Sequence, residues 1–401
     1  MMPRVVVTAE GMMTAAGAGI EAAQEALWSG KTVIAPSERL NGALMADIGE
    51  FDPAPWLGNK GVRVLDRGTR LLCIASQMAL TASGYTADPS VADGDPNLGL
   101  VVGTLFGGVH SIASFDWTGI TEGPSWVSPM EFANTVINAP AGQAAIKQKL
   151  RGVNSTICSG LASGLYAISY AADFLRFGRA KHLLAGGMEE VCEETSLGFR
   201  KLGISSPTGS VHPFAENRDG AAPGEGAALW MLETADTAEA RGVTPMFEVL
   251  GFGAVYDAHP TIGYNPRGEG AAAAIRMALA NSDLKPEDIG GIVASANGSP
   301  AGDEMEARAL KAVFGDTLNG LPICAPKALF GETMGAGGGI GALVAGFALR
   351  RGELPPTAGA SPANGLQLSS SAQPLRGENV LINAFSCDGN NASLVVRLWK
   401  K

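Results

Sequence analysis

The sequence predicts an α/β protein built as two similar halves, and three observations carry that prediction. Strand-like apolar runs alternate with helix-like stretches along all 401 residues. The alternation is interrupted by one polar, helix-prone segment, "ETADTAEARGVTP" from Glu233 to Pro245, and then begins again. Glycines gather where the apolar runs end, in "GTLFGG", "AGGMEE", "GETMGAGGGIG" and "CDGNNAS". Single cores stop growing near ~250–300 residues, so a chain of this length is expected to form two core units, divided near 1–240 and 241–401.

In the first half, "RVVVTAEGM" is expected as a strand because its β-branched residues suit a pleated surface. "IEAAQEALWSG" follows as a helix. "LGLVVGTL" is a second strand, "GLASGLYAISYAADFLRFGRA" a helix, and "HLLAGGM" and "GAALWMLE" are strands. The second half repeats the alternation. "MFEVLGFGA" reads as a strand, "GEGAAAAIRMALANSDL" as a helix, "IGGIVASANG" as a strand, "DEMEARALKAVFG" as a helix, and "NVLINAFS" and "ASLVVRLW" as strands. In such sheets ligands sit beyond the carboxyl ends of the strands, where glycine lets backbone approach a ligand. None of these loops follows GxGxxG or the phosphate-loop pattern, so no nucleotide site is expected.

Lys and Arg number 29 against 39 Asp and Glu, a net charge of −10. That field repels phosphate backbones and argues against a nucleic-acid partner. A local basic stretch, "NKGVRVLDRGTR", carries Lys60, Arg63, Arg67 and Arg70. The five cysteines, Cys73, Cys158, Cys192, Cys324 and Cys387, lack metal-type spacing, so no metal is expected and a reducing cytoplasm fits. The N-terminal residues show no secretory leader. "MGAGGGIGALVAGFAL", Met334 to Leu349, falls short of the ~18–20 residues of a membrane span and is crowded with glycine. It is expected as a buried helix packed against another backbone.

Cys158 lies in "STICSGLASG", which reads as a strand-to-helix turn. That turn places the sulfur at a helix N-terminus, where the dipole and free N–H groups lower a thiol's pKa toward the reactive range.

Several long motifs occur in one order: "VVVTAEGMMTAAG", "ANTVINAPAGQAAI", "STICSGLASGLYAISYAADFLRFGRAKHLLAGGMEE", "HPFAENRDGAAPGEGAALWMLE", "NGSPAGDEMEARALKAVFG", "PKALFGETMGAGGGIGAL" and "NAFSCDGNNASL". Over essentially the whole chain they resemble the elongating β-ketoacyl-ACP synthases of fatty-acid and polyketide synthesis. The resemblance implies a thiolase fold of two pseudo-duplicated αβαβα halves around mixed five-stranded sheets, usually assembled as a dimer. It implies that Cys158 is the acyl-accepting cysteine. No bound cofactor is implied; the phosphopantetheine of an acyl carrier protein carries the substrate.

The chain departs from the family at both catalytic histidines. Their positions hold Asn297, in "SANGSPAGD", and Glu332, in "FGETMGAGG". In the family those histidines donate to the malonyl thioester carbonyl and help expel its carboxylate as CO2. An Asn amide still donates. A Glu carboxylate accepts instead, and at ~5 Å with an effective dielectric near ~20 it opposes the malonyl carboxylate by about 3 kcal/mol, roughly a hundredfold in rate. Lys327 lies where the family keeps a lysine, and Glu306 matches the glutamate after the first motif. Together with Glu332 they form either a catalytic set or a buried ion network. Phe385 and Cys387 fall on the acyl-gate loop, with Cys387 at the gate and Asp388 where glycine is usual. The backbone N–H groups of Cys158 and Cys387 are implied as the oxyanion hole. His259 is the histidine expected nearest the pantetheine entrance.

Lys60, Arg63, Arg67, Arg200 and Lys201 match places where family members present positive charge to the acidic carrier protein. Two readings follow. One is a cytoplasmic acyltransferase that accepts a chain from acyl-ACP on Cys158 for transfer or condensation. The other is a partner subunit, resembling the chain-length factors of type II synthases, in a homodimer or a heterodimer with a related ketosynthase.

Overall fold

The computed structural model describes residues 2–85, 94–258, 263–360 and 366–400. Apart from two-residue strands, the first half contributes among the described residues β1 (Val5–Thr14), β2 (Leu98–Gly103), β3 (Asn154–Ile157), β4 (His182–Glu189) and β5 (Gly226–Thr234). The second contributes β6 (Phe247–Tyr256), β7 (Ile289–Val293), β8 (Pro322–Cys324), β9 (Asn379–Phe385) and β10 (Asn390–Leu398). Their spatial orders are β1-β5-β4-β2-β3 and β6-β10-β9-β7-β8, the same order in both halves when each half's strands are counted from its own first. Both sheets are mixed. Strand β2 runs parallel to β3 and β4, whereas β5 is antiparallel to β4 and β1; β7, β8, β9 and β10 repeat the pattern. The two sheets meet where β1 pairs antiparallel with β6, Val5 opposite Val249.

Side-chain alternation explains the layers, since successive residues of a strand face opposite sides of its sheet. In β5, Ala228, Trp230 and Leu232 enter the central core, while Ala227, Leu229 and Met231 face an outer one. In β9, Val380, Ile382 and Ala384 face the centre, and Leu381 and Phe385 face outward. Helices α1 (Arg67–Ala82) and α3 (Ala139–Gln148) cover the first sheet, whereas α6 (Glu269–Asn281) and α7 (Pro300–Phe314) cover the second. Two helices fill the central layer: α4 (Ser163–Arg176), which follows Cys158, and α8 (Gly337–Arg351), which follows Glu332. This is the αβαβα thiolase arrangement.

The central helices touch backbone to backbone where they begin. A Cβ on Gly338 would lie 2.4 Å from the Leu165 nitrogen, and one on Gly164 would lie 2.7 Å from the Gly339 nitrogen. Glycine at both places lets the loops that precede the two helices converge on one site. The apolar stretch ending at Leu349 is therefore buried between sheets, and among the described residues no helix is long and apolar enough to cross a membrane. Two further helices, α2 (Val109–Thr121) and α5 (Glu193–Lys201), stand at the site's mouth. No residue of α2 is buried.

Candidate active site

Cys158 follows β3 directly. The chain then turns through Gly160 at φ +59°, where a Cβ would lie 2.3 Å from Ser386 Oγ and 2.5 Å from an Asp388 carboxylate oxygen. Only glycine accepts that conformation and that closeness. Ser386 Oγ in turn accepts from Leu161 N at 3.0 Å, so the turn after Cys158 and the loop after β9 are tied together. The Cys158 thiol donates to the Leu105 carbonyl at 3.4 Å.

The expectation of a lowered thiol pKa is corrected here. Burial raises the Cys158 thiol above its ordinary value, and the acidic Glu189 and then Asp388 raise it further. Helix α4 begins only at Ser163, five residues beyond Cys158, so its N-terminus does not offset them.

Asn297, Lys327 and Glu332 form one buried network. Asn297 Nδ2 donates to Glu332 Oε2 at 2.7 Å, and Lys327 Nζ donates to the same oxygen at 2.8 Å. Glu332 Oε1 accepts from Met334 N at 3.0 Å, and Asn297 Oδ1 from Ser299 N at 3.0 Å. Glu306 stands apart, held by Ser295 N at 3.0 Å and Asn383 Nδ2 at 2.9 Å. Its other oxygen has no hydrogen-bond partner among the described residues, and burial pushes its carboxyl up to about 7. Of the expected catalytic set or ion network, the structure joins Lys327 to Glu332 and leaves Glu306 outside that pair.

A cavity of about 390 Å³ opens beside this network. Its apolar walls include Leu105, Phe106, Leu161, Phe199 and Leu202, and its polar end includes Asn297, Glu332, Cys387 and Asp388. Cys387 is half-buried there, its thiol raised by burial, Asp388 and Glu332. Phe385 differs from expectation: its outward position on β9 puts it in the second half's outer core, against a separate void of about 10 Å³, and not on the large cavity's wall. His259 lies outside the described residues.

The basic residues divide. Lys60 and Arg63 are exposed, as are Arg200 and Lys201 at the end of α5, the helix whose Thr195, Gly198 and Phe199 line the cavity. Arg67 is a correction to the expected docking patch. As the first residue of α1 it turns inward, Nε to Glu225 at 2.8 Å and an Nη to the Gly49 carbonyl at 2.8 Å, in a cluster with Asp47 and Arg39. The helix cap explains the turn: Asp66 accepts from Thr69 N at 2.8 Å and commits the chain at that point.

Sequence reasoning missed Glu189, the acid at the end of β4. It accepts from Thr104 Oγ1 (2.9 Å), Leu105 N (2.6 Å), Phe106 N (3.1 Å) and Gly335 N (3.1 Å). One carboxyl thereby fixes the loop that meets Cys158 to the turn that follows Glu332, and burial lifts it to about 7. The "AGGMEE" glycine cluster, closing on acids at a strand end, was its available signal. Among the described residues no group of three or more His, Cys, Asp or Glu is arranged to hold a metal.

The Beta-ketoacyl synthase, N-terminal domain model matches residues 2–238, and the Beta-ketoacyl synthase, C-terminal domain model matches residues 246–361. The chain belongs to the β-ketoacyl synthase family. It is 29% identical over 408 residues to the 3-oxoacyl-[acyl-carrier-protein] synthase 2 of Coxiella burnetii, covering 98% of each chain. It is 30% identical to that of Rhizobium meliloti, covering 99% of each. The solved ishigamide ketosynthase/chain length factor superposes with a TM-score of 0.91 at 28% identity, covering all of both chains.

Proposed function

We propose that this β-ketoacyl synthase relative takes acyl chains from an acyl carrier protein, in fatty-acid or polyketide assembly, onto Cys158 for transfer without decarboxylating a malonyl-type extender. The network of Asn297, Glu332 and Lys327 carries the reading. The Asn297 amide donates to Glu332, and the Lys327 ammonium is neutralised by it. Each turns a donor to Glu332, and among the described residues the cavity lining holds no histidine to stabilise an enolate. A bare Glu332 carboxylate would oppose a second carboxylate at ~5 Å by about 3 kcal/mol at an effective dielectric near ~20, but Lys327 at 2.8 Å offsets much of that, so the reading rests on the donors and not on repulsion.

Acyl loading asks less of the site. Cys158 sulfur bonds the acyl carbon, the carrier's carbon–sulfur bond breaks, and the thiol proton leaves on the pantetheine sulfur. The apolar cavity shelters the chain, and the N–H groups of Cys158 and Cys387 are the donors for the carbonyl oxygen. Lys60, Arg63, Arg200 and Lys201 meet the acidic carrier. The test is intact-protein mass spectrometry after incubation with acyl-ACPs of graded length. The proposal expects an adduct that Cys158→Ala abolishes; a folded protein that takes up no chain contradicts it.

A second reading, a non-condensing partner paired with a related ketosynthase, is favoured by one observation. The segment around α2 exposes Trp117, Ile120, Trp126, Met130 and Phe132, an apolar surface of the kind that marks a protein interface. Co-purification with such a synthase, together with an absent adduct, supports this reading over the first.

A further inference from the structure

We propose that Tyr264 is a substrate-contacting donor of this site, its phenol hydrogen-bonding the thioester carbonyl of the chain held in the cavity. The proposal rests on the acyl-cavity reading above and names the group that takes over from the missing histidine donors.

Tyr264 shares the cavity wall with Asn297, Ser299, Glu332 and Cys387. It also borders the void of about 10 Å³ whose other walls include Ser295, Asp303 and Glu306. The ring therefore partitions the substrate cavity from a buried acidic chamber. Its position is fixed from three sides. The neighbouring Gly263 N donates to the Cys387 carbonyl at 2.8 Å, tying this segment to the gate loop. Asn265 Nδ2 donates to Asp257 at 2.9 Å on the other side. The ring lies on the first turn of α7 at Gly302, where a Cβ would be 2.9 Å from both Cε2 and Cζ. A side chain at position 302 would push the ring out of its place.

Most of the other polar groups on that wall are acids or are already bonded within the protein. Glu194, Glu332 and Asp388 are acids. Asn297 is turned to Glu332, while Ser299 Oγ accepts from Gly302 N at 3.4 Å and Ser386 Oγ from Leu161 N at 3.0 Å, bonds that hold both serines in place and leave each its hydroxyl proton. The Tyr264 hydroxyl has no hydrogen-bond partner among the described residues. Burial, then the negative charges of Cys387, Glu332, Asp303 and Glu306, hold the phenol well above its ordinary pKa, so it keeps the proton it would share. A neutral phenol is a suitable donor to a carbonyl that gains negative charge as sulfur attacks.

The experiment uses two unreactive probes on the full chain. One is a dodecanoyl-pantetheine analogue with an amide in place of the thioester; the other is S-dodecyl pantetheine, which lacks the carbonyl. One hydrogen bond predicts that the wild type prefers the carbonyl probe by roughly 5–10-fold. Tyr264→Phe brings the ratio to about 1. Installing 3-fluorotyrosine at 264 keeps the volume, makes the phenol a stronger donor and widens the ratio, which keeps the test open if the Phe variant misfolds. An undiminished preference in Tyr264→Phe, or no preference in the wild type, overturns the proposal. Binding of neither probe overturns it together with the acyl-cavity reading. Absence of a Cys158 adduct with acyl-ACP bears on the covalent step alone, because neither probe reacts.

Discussion

Asn297 and Glu332 are hydrogen-bonded to one another at 2.7 Å, and Lys327 lies 2.8 Å from the same glutamate oxygen. The polar groups of the reaction centre thereby satisfy each other.

Glu332→Gln leaves the buried Lys327 ammonium without its counter-charge. Removing one partner of a buried pair costs about 3–5 kcal/mol, so urea unfolding should show a loss of that size. The double variant Lys327→Met/Glu332→Leu, which removes both charges, should cost less than Glu332→Gln. A larger cost for the double would show that the pair is not acting as a unit.

Arg67 and Arg63 are four residues apart and predict opposite behaviour. Arg67→Ala leaves Glu225 and Asp47 with Arg39 as their one remaining cation in the cluster, lowering stability by about 3 kcal/mol. Arg63→Ala leaves the melting temperature unchanged but weakens association with an acyl carrier protein, most strongly at low salt. Calorimetry and binding titrations at two ionic strengths separate the two effects.

Four buried acids make stability fall as pH rises. Burial lifts Asp303 to about 6, Glu189 and Glu306 to about 7, and Glu190 to about 8. A carboxyl whose folded pKa is raised contributes stability that is complete below its unfolded value near ~4.3 and is lost as pH climbs through the folded value. Melting temperature should therefore decline from pH 5 to pH 8. Glu190, with one oxygen bonded to Gly68 N and the other without a partner, supplies the test. Glu190→Gln should raise the melting temperature at pH 8 and change it little at pH 5. At the acid end, burial of Glu233 is overcome by His182, whose Nδ1 lies 3.1 Å away, and by bonds from Arg241 and Thr8, which together hold it at about 2. Its contribution is lost as pH falls from about 4 toward 2.

Gly338→Ala places a methyl 2.4 Å from the Leu165 nitrogen. Overpacking a close backbone contact costs about 1–3 kcal/mol or more. Because that contact sets the approach of α4 to α8, the variant should also lose acyl loading under conditions where it remains folded, as mass spectrometry can check.

The longer strands were legible because β-branched runs such as Val5–Val7 and the glycine-ended "HLLAGGM" carry local signals, and repetition after Pro245 gave the two halves; β8 (Pro322–Cys324), three residues opened by proline, carried none. Helix α1 was not read as a helix because its first turn presents arginines and looks like a solvated face; only the fold shows Arg67 turned toward Glu225. Asn297, Lys327 and Glu332 could be named from their motifs. Their bonding could not, since 35 residues separate Asn297 from Glu332. The thiol environment failed for the same reason: Glu189 and Asp388 reach Cys158 from distant strands, and a local turn pattern does not contain them. Tyr264 carried no signal, as its segment became part of the site only by docking against Gly302 and the loop at Cys387.

Release of CO2 from carboxyl-labelled malonyl-ACP in the presence of acyl-ACP tests the central claim most directly. The wild type should release no more than Cys158→Ala, and Asn297→His/Glu332→His should raise the release well above that background. Wild-type release coupled to chain extension would contradict the claim that Asn297, Glu332 and Lys327 close the site to decarboxylation.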